Sequence, residues 1–280
     1  MPNDYTRTHP EAQANPRASL TSILAVTRRA VEALKPRRRA LEAAAGSAPP
    51  APDWRDAFAG HAVSVIAEVK RRSPSAGAIA PGLDPATLAA AYERGGARAI
   101  SVLTEEPHFG GSLADLDAVR RAVRLPVLRK DFIVDPVQVF ESRAAGASAI
   151  LLIARALSRA ELRDLAALAR DLGLGIFVEI HRAEEMDVAL SVQPDALGVN
   201  SRDLETFVVD VGIVESLLRS LPSGVTGIAE SGLKTRADVE RAASWGADGV
   251  LVGTALAAAS NPEAAVRDMA GVRRSARARQ

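Results

Sequence analysis

The chain has 280 residues, 48% of them hydrophobic, which is enough for a sizeable core in one large α/β domain or two ordinary ones. Its 35 Lys and Arg nearly balance its 34 Asp and Glu, so the charge gives no reason to expect nucleic acid or an anionic membrane as a partner. The absence of cysteine excludes disulfides and thiolate zinc sites, and the four His show no metal-ligand spacing. No apolar run is long enough to span a membrane and none resembles a secretory signal, so we expect a soluble cytoplasmic protein.

The first 60 residues differ from the rest of the chain. Residues 1–18 are polar and contain proline, which predicts a disordered or flexible arm. From Ser19 to about Ala45 apolar residues recur at helical spacing, with a kink or break expected at Pro36. A Pro/Ala linker and a short helix over 53–58 follow. Residues 19–60 are therefore predicted to form an N-terminal helical extension.

Eight short apolar runs, each about the length of a strand, follow one another from residue 63 onwards. They are Val63–Val69, Ala99–Leu103, Pro126–Leu128, Ala149–Ile153, Gly175–Val178, Ala196–Val199, Val225–Ala229 and Gly249–Val252. Segments rich in Ala and Leu at helical spacing separate them, and several begin with a residue suited to cap a helix. These cap residues are Asp84, Ser112, Asp135, Ser158 and Thr235. Gly96, Gly146 and Gly246 each precede a strand directly, which indicates a repeated helix-to-strand joint.

This alternation predicts an α/β fold, a (β/α)8 TIM barrel over residues 61–272 behind the helical extension. The alternative is an open doubly wound sheet, which usually carries a glycine-rich first turn. Here the first turn is R-R-S-P at 71–74, without the G-x-G-x-x-G pattern. The last helix is expected from Asn261 to about Val272, and residues 273–280 form a basic tail that we expect to be solvated.

Charged and polar side chains recur where the predicted strands end. Glu68 and Lys70 are two residues apart, so a strand places both on one face, where burial is costly unless they are paired or used. The others are Lys130, Glu179, Asn200 and Glu230. A lone charge at such a place is usually structural, but the C-terminal ends of barrel strands meet at one mouth, so together they predict an acid–base site. His181 is interpreted as a residue that starts a helix and His61 is placed at the opposite face, so no Ser-His-Asp arrangement is expected.

The turns after the last two strands predict where a phosphate binds. Ser231-Gly232 and Gly253-Thr254 occupy the positions where barrels commonly hold a phosphate on backbone N–H groups and a short helix N-terminus. Taken alone, each of these two pairs could be an ordinary glycine turn. Their occurrence after this pair of strands favours a phosphorylated ligand.

With these residues assembled, the chain resembles the indole-3-glycerol phosphate synthase family of tryptophan biosynthesis. The most specific segments are I-A-E-V-K-R-R-S-P-S-A-G (66–77), P-V-L-R-K-D-F-I-V-D (126–135) and G-V-N-S-R-D-L-E-T-F (198–207). The other matching segments lie at 101–113, 150–157, 178–181 and 228–232. The resemblance implies a lyase without cofactor or metal. Its reaction would convert 1-(2-carboxyphenylamino)-1-deoxyribulose 5-phosphate to indole-3-glycerol phosphate, carbon dioxide and water.

The resemblance also implies a role for each catalytic residue. Lys130 would be the general acid that protonates the keto oxygen of the substrate. Lys70 would pair with the carboxylate that is lost, and Glu179 would be the general base of the dehydration. The residues implied to tune the lysines, bind the substrate hydroxyls or orient Lys70 are Glu68, Asn200 and Glu230.

Three further sets of residues are implied to bind the substrate. Arg202 would lie on the side of the substrate carboxylate. The apolar pocket for the anthranilate ring would consist of Phe109, Phe132, Leu152 and Leu204, with ordinary barrel packing as the alternative for the two leucines. The phosphate would be held by Ser73, Ser231, Gly232, Gly253 and Thr254. Thr254 stands where the family often has Ser or Glu.

Two other functions remain as alternatives. A related isomerase of phosphoribosyl substrates typically uses a Cys/Asp or Asp/Asp pair, whereas these strand ends carry Glu and Lys. A non-catalytic barrel that binds the phosphorylated ligand would be suggested by loss of Lys130 or Glu179, and both are present. As an enzyme, the chain is expected to act on a phosphorylated small molecule as a monomer or weak homo-oligomer.

Overall fold

Eight parallel strands close into a barrel in the computed structural model, which describes residues 19–80, 82–206 and 208–275. They are β1 Ser64–Val69, β2 Ala99–Leu103, β3 Val127–Lys130, β4 Ala149–Ile153, β5 Gly175–Ile180, β6 Ala196–Asn200, β7 Gly227–Glu230 and β8 Gly249–Val252. Each strand pairs with its neighbour in chain order, and β8 pairs with β1 to complete the ring, Ser64 opposite Gly249. The predicted TIM barrel is confirmed.

The α-helices of the described residues surround the barrel or precede it. They are α1 Leu20–Leu34, α2 Arg38–Ser47, α3 Pro85–Gly95, α4 Glu106–Phe109, α5 Leu113–Ala122, α6 Pro136–Ala144, α7 Arg159–Asp171, α8 Met186–Leu190, α9 Val211–Ser220, α10 Arg236–Ser244, α11 Thr254–Ala257 and α12 Pro262–Met269. Every predicted cap residue accepts a backbone N–H at the start of its helix. The last helix ends at Met269, three residues before the expected Val272. None of these helices is long and apolar enough to cross a membrane.

The N-terminal extension contacts both ends of the barrel. A 3₁₀ turn over Lys35–Arg37 separates α1 from α2, as the proline there predicted. At the mouth, the N–H of Leu20 donates to the carbonyl of Leu204 over 3.0 Å. At the opposite end, Trp54 is 1% exposed and its ring lies 5.9 Å from that of Phe177 inside the barrel.

Trp54 fits into the barrel end because of a glycine on the facing strand. A Cβ on Gly175 would lie 2.5 Å from the Cβ of Trp54, closer than real side chains approach. Phe58 adds an edge-to-face contact to the Trp54 ring, with centroids 5.3 Å apart. The end of the barrel opposite the mouth is therefore closed by side chains that precede β1.

Side chains on the strands alternate between two cores, as the pleat of a strand requires. On β4, Ala149, Leu151 and Ile153 belong to the cluster inside the barrel. Ile150 and Leu152 belong to the cluster between the barrel and the outer helices. The inner cluster continues upward to Phe132 at the mouth.

The beginning of the basic tail is not solvated as expected. Arg274 donates from its guanidinium to the carbonyls of Phe58 and Ala62, each over 2.8 Å, and lies 3.6 Å from Asp248. Its backbone N–H donates to the carbonyl of His61. Arg274 therefore holds the segment that leads into β1. The predicted arm over 1–18 and the last residues of the tail, 276–280, lie outside the described residues.

Candidate active site

A cavity of about 490 Å³ opens at the C-terminal ends of the strands. Every residue predicted for the site lines it, with the exception of Leu152. The structure therefore gathers side chains from strands and turns that are far apart in the sequence. Both the acid–base residues and the expected phosphate turns line this one cavity.

The prediction that Leu152 belongs to the apolar pocket is wrong. Its side chain is fully buried against the outer helices, and Leu151 and Ile153 line the cavity in its place. The segment I-L-L-I is buried on both faces, as in other parallel barrels, so hydrophobicity could not show which leucine points inward.

Glu68 and Lys70 form the first charged pair. The Nζ of Lys70 lies 2.7 Å from the Oε1 of Glu68, and Glu68 is only 4% exposed. The pair lies directly against the backbone of Gly253, where a Cβ would come within 2.2 Å of the Glu68 carboxylate and 2.9 Å of the ammonium group. Gly253 therefore leaves the space that this pair occupies, in addition to starting the turn after β8.

Lys130 is the centre of a second group of charges. Its Nζ lies 2.9 Å from Glu179 Oε2 and 3.6 Å from Glu230 Oε2. Burial alone would lower the pKa of Lys130, but Glu179, Glu230 and Glu68 outweigh it and raise this pKa above its ordinary value. Lys130 is therefore a protonated ammonium group that can act as an acid once a substrate changes these contacts.

Glu179 and Glu230 face the same cation, but their pKa values shift in opposite directions. Burial would raise the pKa of Glu179, but the charge of Lys130, the neighbouring His181 ring and the hydrogen bonds of Lys130 and Asn200 hold it at about 2. Burial and the neighbouring charge of Glu179 raise the pKa of Glu230 well above its usual range. The same group of charges therefore favours the ionised form of Glu179 and the protonated form of Glu230.

The Glu230 carboxyl is packed tightly beneath the cavity. A Cβ on Gly198 would lie 2.1 Å from its Oε1, so that glycine makes the space for it. This oxygen is buried and has no hydrogen-bond partner in the described part of the chain. Asn200 accepts the backbone N–H of Arg202 over 3.0 Å, which turns the chain so that both residues line the cavity.

The segment around Lys130 is anchored from outside the barrel. Arg129 is 4% exposed and lies 3.0 Å from a carboxylate oxygen of both Asp131 and Glu141. Asp131 also accepts the N–H of Phe132 over 2.8 Å. Because Arg129 and Asp131 flank Lys130, this buried network fixes the backbone that carries the lysine.

Aromatic and aliphatic side chains form the apolar wall of the cavity. The rings of Phe109 and Phe132 are 6.3 Å apart, and Leu204 belongs to the same cluster. Phe109 is held by Glu105, whose carboxylate accepts the N–H groups of His108 and Phe109 at the start of α4. This wall has the chemistry to receive an aromatic ring.

The expected phosphate site consists of backbone turns. Ser231 and Gly232 both have positive φ, +65° and +73°, so the chain turns sharply after β7. Gly253 precedes α11, whose first residue is Thr254. Ser73 lies in the loop after β1, where its Oγ accepts the N–H of Ala76 over 3.1 Å. Lys234, which the sequence analysis did not single out, also lines this side of the cavity.

His181 is a second residue that the sequence analysis missed. It does not merely begin a helix, since its ring is 3% exposed and its Nε2 lies 3.3 Å from Glu179 Oε1. The spacing of two between a strand-end Glu and His was the signal available, because it places both on one face. No group of three or more His, Asp or Glu side chains in residues 19–80, 82–206 and 208–275 is arranged to hold a metal ion.

Comparison with solved structures supports the fold. Thiamine phosphate pyrophosphorylase from Pyrococcus furiosus matches 78% of this chain and 96% of its own, with a TM-score of 0.57 and 16% identity. The 3-hexulose-6-phosphate synthase of Salmonella typhimurium matches 74% of this chain and 96% of its own, with a TM-score of 0.58 and 14% identity. At such identities the likeness concerns the barrel alone.

Comparison of the sequence is more specific. The family model described as indole-3-glycerol phosphate synthase matches residues 20–269. The indole-3-glycerol phosphate synthase of Rhodococcus jostii (strain RHA1) is 51% identical over 230 residues, which cover 82% of this chain and 86% of that protein. That of Mycobacterium avium (strain 104) is 51% identical over 229 residues, which cover 82% and 84%. The chain therefore belongs to the indole-3-glycerol phosphate synthase family.

Proposed function

We propose that this chain closes the indole ring of 1-(2-carboxyphenylamino)-1-deoxyribulose 5-phosphate and releases indole-3-glycerol phosphate, carbon dioxide and water. The observation that carries the proposal is Lys130, a largely buried ammonium group that lies 2.9 Å from Glu179 and 3.6 Å from Glu230 at the mouth of the barrel. Family membership and the apolar wall beside this lysine support the same reaction.

In the first step, the ring carbon that bears the carboxylate attacks the keto carbon of the substrate. Lys130 gives a proton to the keto oxygen, so a hydroxyl forms instead of a costly alkoxide. The bond to the carboxylate then breaks, carbon dioxide leaves, and the electron pair restores the aromatic ring. Lys70, paired with Glu68, holds the carboxylate until it is lost.

The second step removes water. The new hydroxyl leaves with a proton from one of the two lysines, and Glu179 takes a proton from the adjacent methylene carbon to form the ring double bond. Glu179 is ionised because its pKa is low, and it becomes a stronger base once Lys130 has given up its proton. It lies 2.9 Å from Lys130, so the proton it takes can pass back to the lysine.

The remaining residues are proposed to bind the two ends of the substrate. Phe109 and Phe132 receive the anthranilate ring, with Leu204 and, in place of Leu152, Leu151 beside them. Arg202 faces the carboxylate. Asn200 and Glu230 bind the substrate hydroxyls, and the phosphate is held by Ser73, Ser231, Gly232, Gly253 and Thr254. We place the enzyme in the cytoplasm as a monomer or weak homo-oligomer.

The test is a direct assay. Purified full-length protein is given the substrate, the rise of indole fluorescence is followed with time, and released carbon dioxide is measured in parallel. Both signals should appear in a ratio of one to one. Binding of the substrate by folded protein without either signal would indicate a non-catalytic barrel. Consumption of substrate without carbon dioxide would indicate an isomerase.

A further inference from the structure

We propose that His181 is a positioning residue that holds the catalytic carboxylate of Glu179 through one oxygen and leaves the other free for proton transfer. The inference rests on the proposed function, because it assigns a partner to the base of the dehydration step. Its basis is that the two carboxylate oxygens of Glu179 have different partners. Oε2 lies 2.9 Å from Lys130 Nζ, whereas Oε1 lies 3.3 Å from His181 Nε2.

The imidazole is fixed in place by its own backbone. Glu179 lies near the end of β5 and His181 follows the strand, two residues later, so both project to the same side. The backbone N–H of His181 donates to Glu185 Oε2 over 2.7 Å, which stabilises the turn after the strand. His181 and Glu179 are 3% and 1% exposed, so water does not compete for this contact.

Charged groups from five elements surround the ring. Glu179 comes from β5 and Lys130 from β3, and Glu185 lies 3.9 Å from Nδ1 in the turn before α8. The other two are Arg155, after β4, and Asp203, after β6, which are themselves paired over 3.3 Å. Burial, together with Arg155 and Lys130, lowers the pKa of His181 below its ordinary value, so the ring is neutral near pH 7.

A neutral imidazole has one N–H to donate, and the carboxylate decides where it lies. Ionised Glu179 can only accept, so the proton belongs on Nε2, facing Oε1. Neither ring nitrogen completes a hydrogen bond within the described residues. Contacts of this kind are often long in free enzymes and shorten in the complex with substrate. We therefore expect the Nε2–H bond to close when substrate binds.

A neutral donor suits the chemistry of this carboxylate. Lys130 already favours the ionised form of Glu179, and a second cation would make it a weaker base still. When Lys130 gives its proton to the substrate, that restraint is removed and Glu179 becomes basic in the step that needs a base. His181 keeps Oε1 in position through this change of charge, so Oε2 is the oxygen that receives the proton.

The test compares two side chains of similar length. His181→Gln keeps an N–H donor within reach of Glu179, whereas His181→Met has none. We expect His181→Met to lower kcat by roughly 10- to 100-fold, the loss typical when an outer hydrogen-bond partner is removed, with KM nearly unchanged. The acid limb of its kcat profile should move to higher pH, because the carboxylate loses a hydrogen bond that favours its ionised form. His181→Gln should recover most of kcat and the original limb.

The controls separate this inference from the proposed function. His61→Leu, at the opposite end of the barrel, should leave kcat unchanged. A wild-type protein without turnover would refute the function itself. If wild type is active but His181→Met matches it, or if both variants lose kcat equally with an unmoved pH profile, His181 does not position the base.

A measurement on the wild-type chain covers the case in which the variants do not fold. The chain has four histidines, so ¹⁵N NMR can resolve their ring nitrogens. We expect one neutral ring with its proton on Nε2 near pH 7 and assign it to His181 as the histidine that titrates lowest. A proton on Nδ1, or four rings that all titrate in the ordinary range, would overturn the proposal.

Discussion

Replacing Lys130 by Met removes the ammonium group while keeping most of the volume of the side chain. The change leaves Glu179 and Glu230 in a buried site without the cation that lies 2.9 Å and 3.6 Å from them. Loss of a general acid typically costs about 10²–10⁴ in rate, or about 3–5 kcal/mol of transition-state free energy. We therefore expect kcat to fall by that factor, while KM changes little because the proposed phosphate and ring contacts remain.

The same substitution should change the pH dependence, and the sign follows from Glu179. In the wild type its pKa is depressed to about 2, so its ionisation stabilises the fold above its ordinary pKa, and that stability is lost as pH falls toward 2. Without Lys130, burial dominates and the pKa of Glu179 rises. The residual activity of Lys130→Met should therefore have its acid limb at higher pH. Because the buried carboxyl then binds its proton more tightly in the folded chain than in the unfolded one, acidification should increase the contribution of Glu179 to stability instead of removing it.

The assay is indole fluorescence under substrate saturation across the pH range, with circular dichroism on the same samples to show that the protein is folded. Lys35→Met is the matched control, since Lys35 is an exposed residue of the N-terminal extension and should leave kcat unchanged. A Lys130→Met enzyme with kcat near that of wild type, or with an unmoved acid limb, would refute the assignment of Lys130 as acid and partner of Glu179.

Three more predictions concern contacts within the barrel, at the site and at its opposite end. Gly253→Ala places a Cβ 2.2 Å from the Glu68 carboxylate, so kcat/KM should fall at least about tenfold, equivalent to about 1.4 kcal/mol. Gly46→Ala, which adds a Cβ in open space, is the control and should leave kcat/KM unchanged. If the two variants have the same kcat/KM, the close contact at Gly253 is contradicted. Asp131→Asn weakens a buried ion pair but leaves Arg129 its contact with Glu141, so it should cost about 1–3 kcal/mol in the free energy of unfolding by urea. No measurable loss would contradict the role of Asp131 in this network. Trp54→Ala should cost about 3–5 kcal/mol in the same measurement while kcat of the folded enzyme stays the same, and a large loss of kcat would show that the two ends of the barrel are coupled.

The barrel and most of its site could be predicted from the sequence because the signals there are local. Strand-length apolar runs, caps and terminal glycines repeat with the period of a (β/α)8 unit, and residues at strand ends must meet at one mouth. The run predicted to end at Leu128 nevertheless continues to Lys130 as β3. The strand therefore includes Arg129, whose charge is balanced by Glu141 on α6, a contact between elements that local pattern does not show.

The remaining errors have the same origin. The resemblance implied Leu152 for the pocket, and the sequence could not correct this because both faces of β4 are buried, which removes the alternation that shows which leucine points inward. Arg274 reads as a solvated tail residue, but it binds carbonyls more than two hundred residues earlier in the chain. His181 was accessible in principle, since only the alternation of one strand was needed to place it beside Glu179.

The contacts of the N-terminal extension with both ends of the barrel bear on where the functional unit of this chain begins. A boundary drawn at the first strand would remove Trp54, which closes the barrel end opposite the mouth, and Leu20, which hydrogen-bonds to Leu204 at the mouth. A shortened chain that starts at β1 would keep every catalytic side chain yet leave the interior open to water beside Phe177. For truncation, transplantation or fusion of this enzyme, we therefore expect the boundary to be placed before α1, because the eight strands alone lack these contacts.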